Sequence, residues 1–323
     1  MSAPLVSVVV PVHNYGQYLA ESVGSVLAQT VTDFELIIVN DGSTDESAAI
    51  ARAFDDPRIR YIEHSVNRGL VATLETGFLA TAGVFVCRLD ADDRYHPDFL
   101  EITLPQFERH PEVGLVYGLV AAMDADGRII EPVWSGMRTR EVHAARDFVG
   151  DEFLQQVEDN VIPAAAVIGR REAWMRGIPF PSWFTWHTPT DWYLNLVAAR
   201  HQPVCYLDRI LADYRLHSAN LHRHTAVSAT QEATVFGVLD EMFSGTDRAE
   251  AKRAVRKRVY GRAWTAAADR YFAAGMDADA RRCYLRALLA QPRRAIDPIF
   301  LRHLAASAGG RPLYELGRRL LGR

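Results

Sequence analysis

What most constrains this chain is a pattern repeated through its first 90 residues: a short apolar run, a polar loop, then apolar residues at helical spacing. Leu5–Val12 (LVSVVVPV) is short, valine-rich and closed by a turn, as a strand buried on both faces would be. The loop His13-Asn14-Tyr15-Gly16 follows, and from Tyr18 to Gln29 the residues Leu19, Val23, Val26 and Leu27 recur at helical spacing. Phe34–Asn40 (FELIIVN) is a second buried strand, and the turn Asp41–Asp45 supplies N-cap residues for a helix over Glu46–Phe54. Ile59–His64 reads as a third strand, Gly69–Ala82 as a helix and Val84–Leu89 as a fourth strand. Strands alternating with helices build right-handed βαβ units, so the expected class is α/β with a mainly parallel central sheet. Ligands of such sheets bind beyond the carboxyl ends of the strands. The loops HNYG, NDGSTD and DADD all fall at those ends.

The last of these loops is chemically the most demanding. CRLDADDRY (residues 87–95) places Asp90, Asp92 and Asp93 directly after an apolar run. Neighbouring carboxylates repel and raise one another's pKa. The cluster therefore calls for a metal ion, a basic side chain or water. NDGSTD taken alone is satisfied by turn chemistry, because Asp, Asn and Ser favour turns.

Further along, Pro97–Gln106 is expected as a helix, Gly114–Asp124 as a strand and Arg128–Val133 as its hairpin return after the Asp126-Gly127 turn. Residues 134–190 mix short helices with aromatic loops such as Trp183-Phe184-Thr185-Trp186 and resist a periodic reading. Asp191–Ala199 reads as a helix, and Val204–Leu207 and Ile210–Tyr214 as two short strands. From about residue 228 the pattern is helical throughout. Within it Trp264, Ala268, Tyr271, Ala280, Tyr284, Ala287 and Pro292 match the spacing of one tetratricopeptide helix pair. An ordinary antiparallel helix pair has the same signature.

Composition adds a contrast. Residues 251–323 hold 17 Lys and Arg against 5 Asp and Glu, a balance of +12, whereas the preceding 250 residues hold 19 against 35, a balance of −16. Such asymmetry suggests different surroundings for the two parts. No nucleic-acid recognition motif accompanies the basic part, so no nucleic-acid partner is expected. Cys87, Cys205 and Cys283 are scattered and odd in number, which argues against a disulfide framework or a zinc site and fits a reducing cytoplasm. No run reaches the roughly 18 apolar residues of a membrane span, and no signal peptide is visible. The expected location is cytoplasmic, and the basic helices are open to two readings: peripheral contact with the anionic inner face of the membrane, or a solvated basic face that docks on the acidic N-terminal part.

Read in order, VSVVVPVHN, NDGSTD, NRGL and DADD resemble the family 2 glycosyltransferases, which have the GT-A fold. The resemblance covers about residues 5–225. It implies a GT-A domain over 1–227, with a nucleotide-sugar half (1–124) and an acceptor-side half (125–227), followed by a basic helical region over 228–323. It implies that Asp90-Ala91-Asp92 is the DxD motif, with Asp90 near the ribose and Asp92 holding a Mn²⁺ or Mg²⁺ ion on the diphosphate. Such hard cations prefer carboxylate oxygen shared with substrate phosphate. Pro11, His13, Asn14, Tyr15 and Asp41 would hold the base, with Tyr15 or His13 stacking, and Arg68 would lie near the nucleotide. Asp191, in Thr190-Asp191-Trp192, takes the role of general base for an inverting transfer, although Thr190 stands where the family usually has a second acidic residue; His187 is the next candidate. The segment from Arg215 to Asn220 resembles the family's R-x-H-x-x-N, giving Arg215 to the phosphates and His217 to the metal or diphosphate. His222 and His224 read as surface residues.

The expected partners are thus a nucleoside-diphosphate sugar donor and a glycan, lipid-linked or polysaccharide-precursor acceptor. The alternative is a catalytically silent domain of the same fold that acts as a scaffold through its C-terminal helices. Nucleotidyl transfer fits less well, since HNYGQYL lacks the Gly-rich basic loop it uses.

Overall fold

The structure, a computed structural model, describes residues 3–185, 188–218, 229–310, 312 and 314. Two compact units meet at 224/225 in the chain.

The first unit is built on a ten-stranded sheet: β1 (Val6–Val12), β2 (Phe34–Asp41), β3 (Ile59–His64), β4 (Phe85–Arg88), β5 (Arg94–Tyr95), β6 (Leu115–Met123), β7 (Ile129–Glu131), β8 (Phe148–Gly150), β9 (Val167–Arg170) and β10 (Val204–Arg215). The order is β3-β2-β1-β4-β9-β6-β10-β5, with β7 on β6 and β8 on β10. β1 runs parallel to β2 and β4, β2 to β3, and β6 to β10. β9 is antiparallel to both β4 and β6. All seven residues of β1 are buried, as the valine run requires of a strand covered on both faces.

The helices of this unit are α1 (Gly16–Leu27), α2 (Ser47–Ala53), α3 (Leu70–Ala80), α4 (Phe99–Arg109), α5 (Thr139–Val142), α6 (Phe153–Glu158), α7 (Arg171–Met175) and α8 (Thr190–His201). The core joins Val8, Val10, Leu36 and Ile38 of the sheet to Leu19 and Val23 of α1 and Phe99 of α4.

The chain winds outward from β1 to β3 and then crosses back to β4. The sheet therefore changes winding direction between β1 and β4, where ligands of open α/β sheets bind. Pro11 marks the place. The carbonyl of Val9 accepts from the Leu89 N–H at 3.0 Å, so Pro11, two residues on, faces the same side. There β4 has already ended, its last paired residue being Arg88 opposite Val9. A residue without an N–H is tolerated where no neighbouring strand needs it.

Two sequence expectations change here. Val204–Leu207 and Ile210–Tyr214 are one strand, with register shifts between Tyr206 and Ala212; the bulge absorbs the polar Asp208 and Arg209, which break the alternation. Residues 134–190 hold pieces of three to six residues, β9 among them, too short for periodicity to identify.

The second unit contains α9 (Ala229–Phe243), α10 (Ala249–Ala273), α11 (Asp277–Ala290), a 3₁₀ turn (Pro292–Ile296) and α12 (Pro298–Ala305). α10 and α11 pack through Ala267, Ala268, Tyr271, Ala280, Cys283, Tyr284 and Ala287, with Phe300 of α12. The alanines allow close approach, and Tyr284 meets Phe300 edge-on at 5.2 Å. Trp264 stacks on Phe236 of α9 at 3.8 Å. α12 begins with Pro298 after Asp297, whose carboxylate accepts from the N–H groups of Ile299 and Phe300. All three cysteines are free and buried. Among the described residues no helix is long and apolar enough to cross a membrane.

Candidate active site

The loops after β1, β2 and β3 are tied together through Asp41. This carboxylate is 2% exposed. Its Oδ1 faces His64 Nδ1 at 2.7 Å and accepts from the Arg68 N–H at 2.8 Å, while Oδ2 accepts from the Gly69 N–H at 2.7 Å. Burial alone would raise its pKa, but the hydrogen bonds from Arg68, His64 and Gly69 outweigh burial and hold it below the usual carboxylate range. Gly42 has φ +61, and a Cβ there would lie 2.5 Å from the Val66 carbonyl carbon, so the β2 and β3 loops touch through a residue that only glycine suits.

His13 bridges the same loops. Its Nδ1 donates to the Asp41 carbonyl at 2.8 Å and its Nε2 accepts from the Asn67 amide at 2.8 Å. Those partners match the tautomer with its proton on Nδ1 and leave a ring face for a planar ligand. Asn14, at φ +57, accepts through Oδ1 from the Thr44 N–H at 2.7 Å, and its own N–H donates to Ser43 Oγ. Asp45 joins the starts of α1 and α2 by accepting from the Gly16 and Ser47 N–H groups.

A pH test follows. The unfolded carboxylate titrates near about 3.9. A group with a depressed folded pKa stabilises the fold above that value and loses its contribution as pH falls through the folded pKa. Asp41→Asn is expected to destabilise at neutral pH, with the deficit against wild type shrinking below about pH 4; urea unfolding across pH measures it.

The acidic loop after β4 closes against the end of β10. Asp93 is 1% exposed and accepts from the Arg215 N–H at 2.9 Å. Burial, then Asp92 and Asp90, hold its pKa well above the usual range. Asp92 is also shifted upward, by burial and then by Asp90, against the opposing pull of His217. His217 Nε2 lies 3.0 Å from Asp92 Oδ2, and the ring packs on Tyr18 at 4.9 Å and edge-on to Tyr15 at 5.7 Å. Tyr15 therefore stands beside the carboxylates and not beside Asp41. Its own pKa is raised by burial and then by Asp92 and Asp90.

Arg215 departs from the sequence expectation. It is 1% exposed. Its Nε donates to the Asp92 carbonyl at 2.7 Å, one terminal nitrogen to the Ala125 carbonyl at 3.0 Å and the other to Glu21, while its guanidinium lies over the Tyr18 ring at 4.8 Å. A fork already spent on these partners braces the acidic loop and is not turned toward a phosphate. Arg68 is the opposite case: its backbone serves Asp41 and its side chain is exposed, with no hydrogen bond or ion pair among the described residues.

A cation that the sequence reading did not select completes the cluster. Arg88, the last residue of β4, is buried and forks onto Asp90, with Nε to Oδ1 at 2.7 Å and a terminal nitrogen to Oδ2 at 2.9 Å. Its remaining nitrogen donates to Thr190 Oγ1 at 3.3 Å, in the first turn of α8. Burial would lower its pKa, but Asp90 and then Asp191 outweigh that and raise it. Arg88 thus ties the DADD loop to the helix that carries Asp191, and Thr190 supplies the hydroxyl it uses. The carboxylate of Asp191 is half-buried and has no hydrogen-bond partner among the described residues. A sequence signal existed: an arginine inside an apolar run, two positions before an aspartate. Arg88→Met is expected to cost about 3 kcal/mol in urea unfolding, since it strands Asp90; Arg88→Lys, which keeps the charge but not the fork, should cost less.

Pro11, His13, Asn14, Asp41 and the Arg68 backbone therefore form one group, and Tyr15, Asp92, Asp93, Arg215 and His217 a second. Arg88 joins Asp90 to Thr190, the residue before Asp191. His187, Asn220, His222 and His224 lie outside the described residues.

Comparison with known proteins gives the family and the fold. The model of the family "Glycosyl transferase family 2" matches residues 7–171. An uncharacterized glycosyltransferase of Nostoc is 31% identical over 230 residues, covering 70% of this chain and 69% of that one. Chondroitin synthase of Escherichia coli is 34% identical over 129 residues, 39% of this chain, and the matched part is 19% of that protein's length. Among solved structures, residues 1–349 of TarS from S. aureus, in complex with UDP-GlcNAc, superpose with a TM-score of 0.59 at 17% identity, covering 94% of this chain and 92% of that one. The mannosyltransferase PcManGT of Pyrobaculum calidifontis, in complex with GDP-Man and Mn²⁺, gives 0.58 at 18% identity, covering 95% and 87%. At such identities the structural likeness speaks for the fold, a GT-A-like α/β domain with a helical C-terminal region. The chain belongs to glycosyl transferase family 2.

Proposed function

We propose that this chain is an inverting, divalent-metal-dependent glycosyltransferase, moving a sugar from a nucleoside-diphosphate sugar to a hydroxyl of a glycan, lipid-linked or polysaccharide-precursor acceptor. The observation that carries the reading is that, in a family 2 chain, the Asp92–His217 pair follows β4 beside Asp90, and Arg88 ties Asp90 to Thr190, the neighbour of an Asp191 with no hydrogen-bond partner among the described residues.

The donor set suits a hard cation. A carboxylate oxygen of Asp92 and an imidazole nitrogen of His217 lie side by side at 3.0 Å, and a divalent cation would take one or two such protein donors together with substrate phosphate oxygens. Asp92 and His217 are the proposed metal-holding residues, in line with the raised pKa that a nearby cation would relieve. When bound, the ion would neutralise charge on the departing nucleoside diphosphate. Asp90, oriented by Arg88, is left to face the donor near the ribose. The Asp41 group shapes the base end of the site: His13 offers a ring face, Arg68 an exposed guanidinium, and the loops of residues 13–16 and 67–69 a rigid wall.

Asp191 is the proposed general base. It accepts the proton of the acceptor hydroxyl as that oxygen attacks the anomeric carbon from the side opposite the leaving group, so the configuration inverts. Arg88 keeps a positive charge near this carboxylate.

The test is thermal shift of the purified chain with UDP, GDP, dTDP and CDP, each with Mn²⁺, Mg²⁺ or EDTA, followed by transfer assays with sugars of the nucleotide that binds. A native-state ligand raises the melting temperature by mass action. A shift with one nucleotide that requires metal supports the reading; no shift with any nucleotide supports the silent scaffold instead. Arg68→Ala should weaken that nucleotide's binding about fivefold to tenfold, a partly screened charge contact, with the melting temperature of the free protein unchanged.

A further inference from the structure

Five of the large apolar side chains that the structure exposes fall between residues 285 and 301: Leu285, Leu289, Ile296, Ile299 and Leu301. Leu289 and Ile296 are each 83% exposed and Ile299 60%. They sit where α11 passes through the 3₁₀ turn into α12. On α11 the inward positions are Ala280, Cys283, Tyr284 and Ala287, so Leu285 and Leu289, four residues apart, point outward in register with Arg281. Residues 281–302 carry six arginines and one acidic residue, Asp297, whose carboxylate is used to cap α12. Arg282 pairs with Glu232 inside the unit. Arg281, Arg293 and Arg302 are exposed in the same stretch of chain; Arg281 reaches the Ser307 carbonyl at 3.5 Å and the Arg302 guanidinium lies over the Tyr314 ring at 5.6 Å.

We propose that this corner is a peripheral membrane contact: Leu289, Ile296 and Ile299 enter the interface of an anionic bilayer while Arg281, Arg293 and Arg302 meet the headgroup phosphates. Protruding aliphatic side chains are rarely left clustered on a soluble surface without a partner. Three features select an anionic lipid surface. The +12 balance of residues 251–323 calls for an anionic partner. A second copy of the same face would bring like charge against like charge. The apolar groups are also strongly exposed on three successive elements, α11, the 3₁₀ turn and α12, which suits insertion into a deformable interface, with arginine stems lying along the apolar surface and their charged ends in the headgroups.

This inference does not depend on the proposed transfer, because binding is read without substrate. The experiment is sedimentation of the full chain with vesicles of phosphatidylcholine alone or with added phosphatidylglycerol, at low and high salt. The expected result is binding that needs phosphatidylglycerol and falls with salt. Leu289→Ser with Ile296→Ser should weaken it about tenfold or more, and Arg293→Gln with Arg302→Gln about 25-fold, near fivefold per arginine. All four positions are exposed, so the variants are expected to keep the wild-type melting temperature. Absence of vesicle binding, equal binding to both vesicle types, or variants that bind like wild type each overturns the proposal. So does concentration-dependent self-association that the same substitutions abolish while vesicles remain unbound, which would assign the corner to a second copy.

Discussion

Asp191→Asn is expected to lower kcat by a factor of about 10²–10⁴, the usual contribution of a positioned general base, while nucleotide affinity stays within about twofold. The expectation rests on what Asp191 does not do in the fold. It occupies the first turn of α8, half-buried, without a hydrogen-bond partner among the described residues. The substitution therefore breaks no hydrogen bond among the described residues; it forfeits the favourable meeting of a carboxylate with the helix N-terminus, about 0.3–1 kcal/mol, and its attraction to Arg88. The amide keeps the size of the side chain but cannot take a proton. Parallel measurements of kcat, donor Kd and melting temperature separate this role from a structural one, since a structural residue would lose stability together with activity. Asp191→Glu should recover part of the rate, because it restores the base one methylene out of position. Unchanged kcat in the asparagine variant would remove Asp191 from the chemistry.

The first four strands were legible because each is a short, nearly unbroken apolar run between turn residues, and burial on both faces demands that composition. β3, Ile59–His64, coincides with its expected range, and β1, β2 and β4 differ from theirs by one or two residues. The helix pair of α10 and α11 was legible because small and aromatic residues alternate at helical spacing, and those positions are the ones that pack. Residues 134–190 were not. β9 is four residues long and antiparallel, and nothing local distinguishes such a piece from a loop. Its place between β4 and β6 is a tertiary fact.

For the candidate site, the partners of each side chain were not legible in the sequence. Asp41, His13 and Asn14 were read as hands for a base, yet their hydrogen bonds go first to neighbouring loops. Arg215 was read as a phosphate ligand, yet its guanidinium is buried under Tyr18. In both cases the residue type suits the ligand and the backbone alike, and only packing decides which partner is met. Arg88 was passed over because a charged residue at the end of an apolar run looks like the edge of a strand. Its meaning appears only when Thr190, 102 residues away, arrives beside it.

Asp92→Asn is expected to remove most of the metal-dependent nucleotide binding while leaving the unliganded protein at least as stable as wild type. The two halves of that result are argued separately. In the unliganded fold the Asp92 carboxylate is buried 3.0 Å from His217 and raised in pKa by burial and then by Asp90, so its charge is costly there. A neutral amide of the same shape relieves that repulsion and can still meet the imidazole nitrogen. The proposed role in holding the cation requires the charge. Loss of an outer partner of a metal ligand costs 10–100-fold in affinity, so loss of the ligand itself should cost at least about 100-fold. At nucleotide and metal concentrations near 100 times the wild-type Kd, ligand stabilises the native state by about 2.7 kcal/mol; a 100-fold weaker variant keeps about 0.4 kcal/mol. Thermal shift with Mn²⁺ and with EDTA reads the difference directly. In the variant the two conditions should converge, and wild type in EDTA should resemble the variant in Mn²⁺. A variant less stable than wild type without ligand, yet shifted equally by nucleotide and metal, would make Asp92 a brace of the loop and move the cation away from the Asp92–His217 pair. Gain of stability with loss of binding is the signature of a residue kept for its charge, and it separates a site residue from a structural one at this position.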